Sequence, residues 1–152
     1  MDQRINAGAT ILVAEDDEDN RFILKLLLQM RGYRVVTAAN GREAISVAER
    51  ERPDLVLMDL RMPVQNGLAA TRELRRHGDA NLRRIPIFAL SAYDPAQHRS
   101  VAIAAGCNEY VTKPIDYDRL ENLIETFLTA TRTATNATAI PDAPATPETF
   151  YL

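Results

Sequence analysis

Five short apolar runs alternate along this chain with longer stretches in which apolar residues recur three or four positions apart. The short runs have the length of buried strands, and the longer stretches have the period of amphipathic helices. Regular alternation of strands with helices is typical of α/β domains built on a parallel sheet. The pattern therefore predicts an α/β fold with five parallel strands, which are Thr10–Ala14, Tyr33–Ala38, Asp54–Met58, Ile85–Leu90 and Cys107–Thr112.

Five helices are predicted to follow these strands, and capping signals mark several of their ends. Acidic residues 17–19 begin the first helix, where carboxylates interact favourably with free N–H groups, and Gly32 ends it. Asn40 with Glu43 forms a capping pair for the second helix, and Pro95 suits the first turn of the fourth. The apolar residues on one face of the first helix are Phe22, Ile23, Leu26, Leu27 and Met30. The residues of the fifth helix expected to face the core are Leu120, Leu123, Ile124, Phe127 and Leu128.

Length and composition predict one ordered domain between two flexible ends. The chain has 152 residues, and its apolar content of 46% and charged content of 26% are ordinary for a globular protein. Residues 1–9 are expected to be flexible, and residues 10–129 form the domain. After Thr129 the composition changes to Thr, Ala, Pro and Asn, which predicts a flexible extension over residues 130–152. This extension is too short and too polar to form a second, output domain.

Charge and cysteine content limit the binding partners and the cellular compartment that are expected for the protein. A net charge of -3 provides no basic field, which argues against direct binding to nucleic acid. The single cysteine, Cys107, cannot form an internal disulfide, as is usual in a reducing compartment. The first eight residues lack the apolar core of a signal peptide, and no run is long enough to span a bilayer. We expect a cytoplasmic protein that does not enter membranes.

Polar residues follow four of the predicted strands, and these residues provide the candidate chemistry. Acidic residues 15–17 follow the first strand, Asp59 the third, Ser91 the fourth and Lys113 the fifth. The carboxyl ends of parallel strands meet at one edge of the sheet, where open α/β sheets bind their ligands. Carboxylates, a hydroxyl and an amine in one cleft suit a divalent cation and a phosphoryl group.

These residues lie in four ordered motifs, and they carry a resemblance to a known family. The motifs are Ile11–Asp17, Leu57–Pro63 with Gly67, Ala89–Ala92 and Tyr110–Pro114. Over about residues 10–128 the chain resembles the receiver domain of two-component response regulators, of the type found in the chemotaxis regulator. The resemblance implies a doubly wound, flavodoxin-like fold with strand order 2-1-3-4-5. It also implies a cis peptide bond between Lys113 and Pro114.

The resemblance implies that Asp59 accepts a phosphoryl group with the help of Mg²⁺. Glu15 and Asp16 match the acidic pair of the family. Asp16 is expected to bind the metal directly, together with Asp59 and the backbone carbonyl of Arg61, while Glu15 acts through water or as a second ligand. Glu15 stands where the family more often has aspartate, which leaves open which carboxylate contacts the ion. Asp17 is better explained as the cap of the first helix.

Three further positions complete the implied site. By resemblance Lys113 pairs first with Asp59 and later with a phosphoryl oxygen, and Ser91 donates its hydroxyl to the same group. Tyr110 matches the aromatic residue that turns inward when the domain switches; an ordinary half-buried strand tyrosine is the alternative. In this family, residues two positions beyond the acceptor and the serine are associated with differences in self-dephosphorylation. Arg61 and Tyr93 occupy those positions, and they either shield the acyl phosphate or point into solvent for partner recognition.

Three residues with reactive side chains are given no functional role. His77 and His98 lie in polar, arginine-rich surroundings and are expected at the surface. Cys107, at the start of a strand, is expected to be a buried small apolar residue. None of the three is therefore assigned a part in the chemistry.

The resulting hypothesis is a phosphorylation-driven switch that carries a signal and is not a turnover enzyme. A sensor histidine kinase or a histidine phosphotransfer protein would donate the phosphoryl group, and a downstream protein would read it. An aspartate-nucleophile phosphatase of the haloacid-dehalogenase type would need an aspartate where Arg61 stands. A nucleotide-binding protein would need a glycine-rich phosphate loop, which the first strand lacks. The remaining alternative is a receiver fold that binds partners without phosphorylation. The sequence leaves open the cognate kinase, the target, and whether the protein is a monomer or a phosphorylation-dependent dimer.

Overall fold

A computed structural model describes residues 8–139 and places five parallel strands in one sheet. The strands are β1 Thr10–Ala14, β2 Arg34–Ala38, β3 Leu55–Asp59, β4 Ile87–Ser91 and β5 Glu109–Thr112. Their order is β2-β1-β3-β4-β5, which confirms the flavodoxin-like prediction. The register pairs Asp59 with Leu90 and Ser91 with Thr112, so the carboxyl ends of β3, β4 and β5 are level with one another.

Within residues 8–139, six helices accompany the sheet, one more than the sequence predicted. They are α1 Glu18–Met30, α2 Gly41–Glu51, α3 Gly67–Arg75, α4 Ala80–Arg83, α5 Pro95–Ala105 and α6 Tyr117–Ala139. The additional helix, α4, has four residues, which is too short to show an amphipathic period. Its cap is the only local signal, since the Asp79 carboxylate accepts a hydrogen bond from the Asn81 N–H at 2.8 Å.

The last helix continues ten residues beyond the predicted domain boundary at Thr129. Threonine is a poor helix former, and in this helix two threonine hydroxyls donate to carbonyls one turn earlier, which satisfies the hydroxyls but adds no helix stability. Thr126 donates to Asn122 at 2.8 Å, and Thr131 donates to Phe127 at 2.9 Å. The alanines of the same stretch have the highest helix propensity. Flexible ends were predicted over residues 1–9 and 130–152, and of these, residues 1–7 and 140–152 lie outside the described residues.

Apolar side chains fill both faces of the sheet, as expected for a doubly wound fold. Alternate residues of β1 point to opposite faces: Leu12 and Ala14 pack with α2, α3 and α5, whereas Ile11 and Val13 pack with α1 and α6. The predicted core residues of α6 lie on the second face, with Leu120, Ile124 and Leu128 buried and Leu123 and Phe127 partly buried. Across residues 8–139, no helix has both the length and the apolar character needed to cross a membrane.

The first helix buries a different face from the one that its sequence suggested. Leu24 and Leu28 are its buried residues. Four of the five residues that share the predicted apolar face are exposed, by 62%, 42%, 45% and 71%, and they are Phe22, Ile23, Leu26 and Met30. The helix carries two apolar stripes, and only one can face the sheet. The narrower leucine stripe packs against the core, and the wider apolar face that the sequence shows lies mostly at the surface.

Arg75 joins the end of α3 to the beginnings of β4 and β5. Its guanidinium donates to the backbone carbonyls of Gly106 at 2.9 Å, Arg83 at 2.9 Å and Ile85 at 2.7 Å, and to the Asn108 side-chain oxygen at 2.9 Å. Burial lowers the pKa of Arg75 from its ordinary value. All four acceptors are uncharged, so this arginine holds the chain by hydrogen bonding alone.

Candidate functional site

A cavity of about 610 Å³ opens at the carboxyl ends of the strands. The ends of four sequence motifs line it, since Glu15–Asp17, Asp59–Pro63, Ser91 and Lys113 all border the same space. Of the residues predicted for the site, Tyr110 does not line this cavity. The chain therefore brings together residues up to 98 positions apart, as the strand-end argument required.

Asp59 ends β3 and is 5% exposed. One carboxylate oxygen, Oδ1, accepts from the backbone N–H of Arg61 at 3.0 Å, and Oδ2 accepts from the Lys113 ammonium at 2.8 Å. Gly67 permits this arrangement, because a Cβ atom there would clash with the backbone carbonyl of Asp59 and approach the Met58 side chain at 2.9 Å. The glycine thus allows α3 to begin directly against the strand end that presents Asp59.

Lys113 bridges two buried carboxylates. Its Nζ lies 2.8 Å from Glu15 Oε1 and 2.8 Å from Asp59 Oδ2. Burial by itself would lower the pKa of Lys113, but the hydrogen bonds to Asp59 and Glu15 raise it above its usual value. The amine is therefore charged at neutral pH. The peptide bond to Pro114 is cis, as the family resemblance implied.

Three carboxylates converge beside this lysine. Oxygen atoms of Glu15, Asp16 and Asp59 lie within 4.8 Å of one another, and Asp16 is the exposed member of the three. Burial and the neighbouring Asp59 together raise the pKa of Glu15 to about 7, against an opposing effect of Lys113. Clustered carboxylate oxygens open to solvent on one side are the donors that Mg²⁺ prefers, so these residues fit that ion.

The acidic loop is held in place by backbone and capping bonds. The Asp17 carboxylate accepts from the Asn20 N–H at 2.9 Å, which confirms Asp17 as the cap of α1. No pattern in the sequence indicated a role for Arg21, yet its guanidinium donates to the Glu15 carbonyl at 2.9 Å. This bond ties the first turn of α1 back to the acidic residue that follows β1.

Ser91 and Tyr110 meet through the backbone of Tyr93. Ser91 is 3% exposed, and its Oγ accepts from the Tyr93 N–H at 3.0 Å, which leaves the hydroxyl hydrogen available. Tyr110 is 5% exposed, and its hydroxyl donates to the Tyr93 carbonyl at 2.8 Å. Tyr110 is thus turned into the domain and is more buried than the alternative interpretation supposed. Its role as a switch remains a prediction.

His98 lies against Tyr93, a contact that the sequence analysis did not anticipate. The His98 and Tyr93 rings stack with centroids 4.6 Å apart and planes at 28°. The Arg61 guanidinium lies over the Tyr93 ring, 5.5 Å from its centroid. A usable signal was present, because Pro95 fixes the start of α5 and therefore places residue 98 in the first turn, beside the preceding loop.

The other two residues given no functional role lie away from the cavity. His77 bonds through Nε2 to Glu49 at 2.8 Å, and its Nδ1 accepts from the Asp79 N–H. Cys107 is buried as predicted, lies 3.8 Å from the Thr71 hydroxyl, and has a pKa raised by burial. Neither residue reaches the carboxylate cluster.

Comparison with known proteins identifies the family. The sequence signature of the response regulator receiver domain matches residues 11–125. The chain belongs to this receiver family. Similar proteins include the polar-differentiation response regulator DivK of Brucella anthropi, which is 34% identical over 78% of this receiver and 95% of DivK. Protein PilH of Pseudomonas aeruginosa is 34% identical over 79% of the receiver and 98% of PilH.

The receiver is also similar to longer regulators and to solved structures. A probable transcriptional regulator, ycf27 of Cyanophora paradoxa, is 38% identical, but the chain spans about half of it, 52%. The receiver domain of the sensor histidine kinase PA1611 from Pseudomonas aeruginosa has a TM-score of 0.74 and 39% identity, covering 81% of this chain and 99% of that one. That structure carries a magnesium ion coordinated in its active site cleft. The chemotaxis protein CheY4 of Vibrio cholerae has a TM-score of 0.73 and 28% identity, covering 79% and 98% of the two chains.

Proposed function

We propose that this receiver is a response regulator of a two-component system or phosphorelay that accepts a phosphoryl group on Asp59. The observation that carries the proposal is the pair formed by Asp59 and Lys113 in an open cleft. The carboxylate is buried enough to be fixed in place, and the ammonium, 2.8 Å away, can balance charge on an incoming phosphoryl group. A carboxylate is ionised at neutral pH and is a competent nucleophile toward phosphorus.

The proposed transfer is a displacement at phosphorus. An oxygen of Asp59 attacks the phosphorus of a phosphohistidine, the phosphorus–nitrogen bond breaks, and the histidine leaves with the bonding electron pair. The product on this chain is an acyl phosphate. Lys113 then pairs with a phosphoryl oxygen, and Ser91, whose hydroxyl hydrogen is available, donates to another. Tyr110 is tied to the Tyr93 backbone and so can report a movement of Ser91.

Mg²⁺ is the proposed cofactor, held by Asp16, Asp59 and the backbone carbonyl of Arg61, with Glu15 as a further or water-mediated ligand. When bound, the ion supplies positive charge opposite the phosphoryl oxygens. Its binding also relieves repulsion among the three carboxylates. We therefore expect Mg²⁺ to raise the melting temperature of the protein. The rise should be diminished in Asp16→Asn, and an undiminished rise there would rule out this ligand set.

The proposed partners are a sensor histidine kinase or a histidine phosphotransfer protein as donor, and a downstream protein as target. The chain would be a substrate and signal carrier in the cytoplasm, not a turnover enzyme, either as a monomer or as a phosphorylation-dependent dimer. A receiver that binds partners without phosphorylation would have no use for the charged set of Asp59, Lys113 and the acidic pair. Their convergence in one cleft favours phosphorylation over that alternative.

The test is phosphorylation by a small donor, followed by intact mass spectrometry. Wild type incubated with acetyl phosphate and Mg²⁺ should gain one phosphoryl group, and EDTA should prevent the gain. Asp59→Asn should gain none. Asp17→Asn is the matched control, because Asp17 borders the same cavity and asparagine is an equally good helix cap. Phosphorylation of Asp59→Asn, or its absence in wild type, would refute the proposal.

A further inference from the structure

Tyr93 connects the cavity to α5 through four contacts. Its N–H donates to Ser91 Oγ at 3.0 Å, and its carbonyl accepts from the Tyr110 hydroxyl at 2.8 Å. These two bonds fix the main chain of Tyr93 beside the proposed phosphorylation site. Its side chain extends outward, is 41% exposed, and lies between the Arg61 guanidinium and the His98 ring.

Of the two groups that touch the Tyr93 ring, His98 is the more firmly positioned. Arg61 is an exposed residue with a long side chain, and it loses much conformational entropy when held in one place. His98 is half-buried in the first turn of α5, where its N–H donates to the Asp94 carbonyl at 3.1 Å. Asp94 caps the helix and Pro95 begins it, so the backbone of His98 is fixed in the first turn of α5. A stack at 4.6 Å and 28° is within the favourable range for two aromatic rings.

We propose that His98 is a positioning residue that determines the lifetime of the phosphorylated state. It holds the Tyr93 ring beneath Arg61, which borders the cavity, and so limits the approach of water to phosphorus. This inference rests on the proposed phosphorylation of Asp59. In the step that is slowed, a water oxygen attacks phosphorus and the bond to Asp59 breaks. Inorganic phosphate leaves, and the carboxylate is restored.

If His98 determines the lifetime of the acyl phosphate, the position of α5 affects that lifetime as well. The histidine belongs to the helix, whereas the ring that it holds belongs to the loop after β4. A protein that binds the first turn of α5 therefore acts on the acyl phosphate without touching the cavity. Loss of the stack releases Tyr93, and an aromatic pair of this kind shifts such an equilibrium by about two- to tenfold.

The experiment measures the decay of the acyl phosphate after the small donor has been removed. Wild type, His98→Ala, His98→Phe and Arg99→Ala are phosphorylated with acetyl phosphate, desalted, and followed by intact mass spectrometry. His98→Ala should decay about two- to tenfold faster than wild type, and His98→Phe, which keeps a flat ring, should restore most of the lifetime. Arg99→Ala is the matched control, since Arg99 is exposed in the same turn, and its decay should equal that of wild type.

The outcomes separate this inference from the proposed function. If wild type gains no phosphoryl group, the proposed function fails, and this inference fails with it. If all four proteins are phosphorylated and His98→Ala decays at the wild-type rate, His98 has no such role and the proposed function stands. If His98→Ala and His98→Phe decay equally fast, the inference is also overturned. A flat ring at position 98 would then fail to restore the lifetime, so the faster decay would come from a general disturbance of the structure and not from loss of stacking.

Discussion

Replacing Glu15 by glutamine should make the metal-free protein more stable at alkaline pH. Glu15 is 1% exposed, and burial together with Asp59 raises its pKa to about 7. Near neutral pH this carboxyl must lose its proton inside the domain, next to a second carboxylate. Glutamine has nearly the same shape, its oxygen can still accept from Lys113, and it carries no charge at any pH.

The size and sign of the effect follow from proton linkage. The pKa of Glu15 is about 7 in the folded protein against an ordinary value of 4.5, which at about 1.4 kcal/mol for each pKa unit amounts to at most about 3.5 kcal/mol. Because the folded-state pKa is the higher one, the stabilisation by the bound proton is fully present below pH 4.5. It is lost as the pH rises through 7. The free energy of unfolding of wild type should therefore fall over this range relative to Glu15→Gln.

The assay is urea unfolding of both proteins in EDTA at pH 5, 6, 7 and 8. Glutamine can lose the hydrogen bond that the second oxygen of Glu15 accepts from the Asp17 N–H at 3.2 Å. That cost does not vary with pH. The decisive quantity is therefore how the difference in unfolding free energy between wild type and Glu15→Gln changes with pH. We expect this difference to change by about 2 to 3 kcal/mol from pH 5 to pH 8. Glu18→Gln, an exposed acid two residues before Asn20, is the control and should show no comparable change.

A difference that stays constant from pH 5 to pH 8 would refute the reasoning. It would mean that Lys113 keeps Glu15 ionised throughout, and that the charge pair outweighs burial. Mg²⁺ provides a second check. At pH 8 the ion should stabilise wild type more than Glu15→Gln, because only wild type then has a third negative charge to neutralise.

Two further substitutions test how the fold supports the site. Arg75→Met should lower the free energy of unfolding by about 3 kcal/mol, because four acceptors lose a charged donor. Arg72 is exposed, so Arg72→Met is the control and should change the free energy of unfolding by less than about 0.5 kcal/mol. Urea unfolding measures both values. Equal effects would contradict the assigned role of Arg75. Gly67→Ala should lower the melting temperature and slow phosphorylation by acetyl phosphate, at a cost of about 2 to 3 kcal/mol, because its Cβ would meet backbone atoms that cannot move aside. Gly78→Ala, where a Cβ meets nothing within 4 Å, should be neutral, and a harmless Gly67→Ala would contradict the close approach.

The residues of the cavity could be predicted because their placement depends on topology. Asp59, Ser91 and Lys113 each follow a buried run, and the ends of parallel strands must meet at one edge. The exact hydrogen-bond partners of these residues were harder to predict from the sequence. That Lys113 contacts Glu15 as well as Asp59 depends on rotamers and on the path of two loops. The family resemblance provided the roles, and the spacing of the strands provided the proximity.

Three features could not be predicted from the sequence, for a different physical reason: the buried face of α1, the helix α4 and the stacking of His98 on Tyr93. Two apolar stripes of α1, one with Leu24 and Leu28 and one that begins at Phe22, both recur with a helical period. Hydrophobicity alone therefore could not decide which stripe would face the sheet. The short helix α4 has only four residues, about one turn, so it cannot show a repeating apolar pattern. Pro95 places His98 in the first turn of α5, but the stacking on Tyr93 also depends on the angle at which α5 leaves its loop, which no local pattern in the sequence encodes.

The four hydrogen bonds of Arg75 have a consequence for how the domain folds. They connect positions up to 33 residues apart and close the loops that precede β4 and β5 around a single guanidinium. A partly folded chain with only some of these segments in place leaves a desolvated cation without its acceptors, which is costly. The half of the sheet that contains β4 and β5 therefore gains or loses its order together with α3. Because Ser91 and Lys113 belong to that half, we expect these two site residues to gain or lose their positions together.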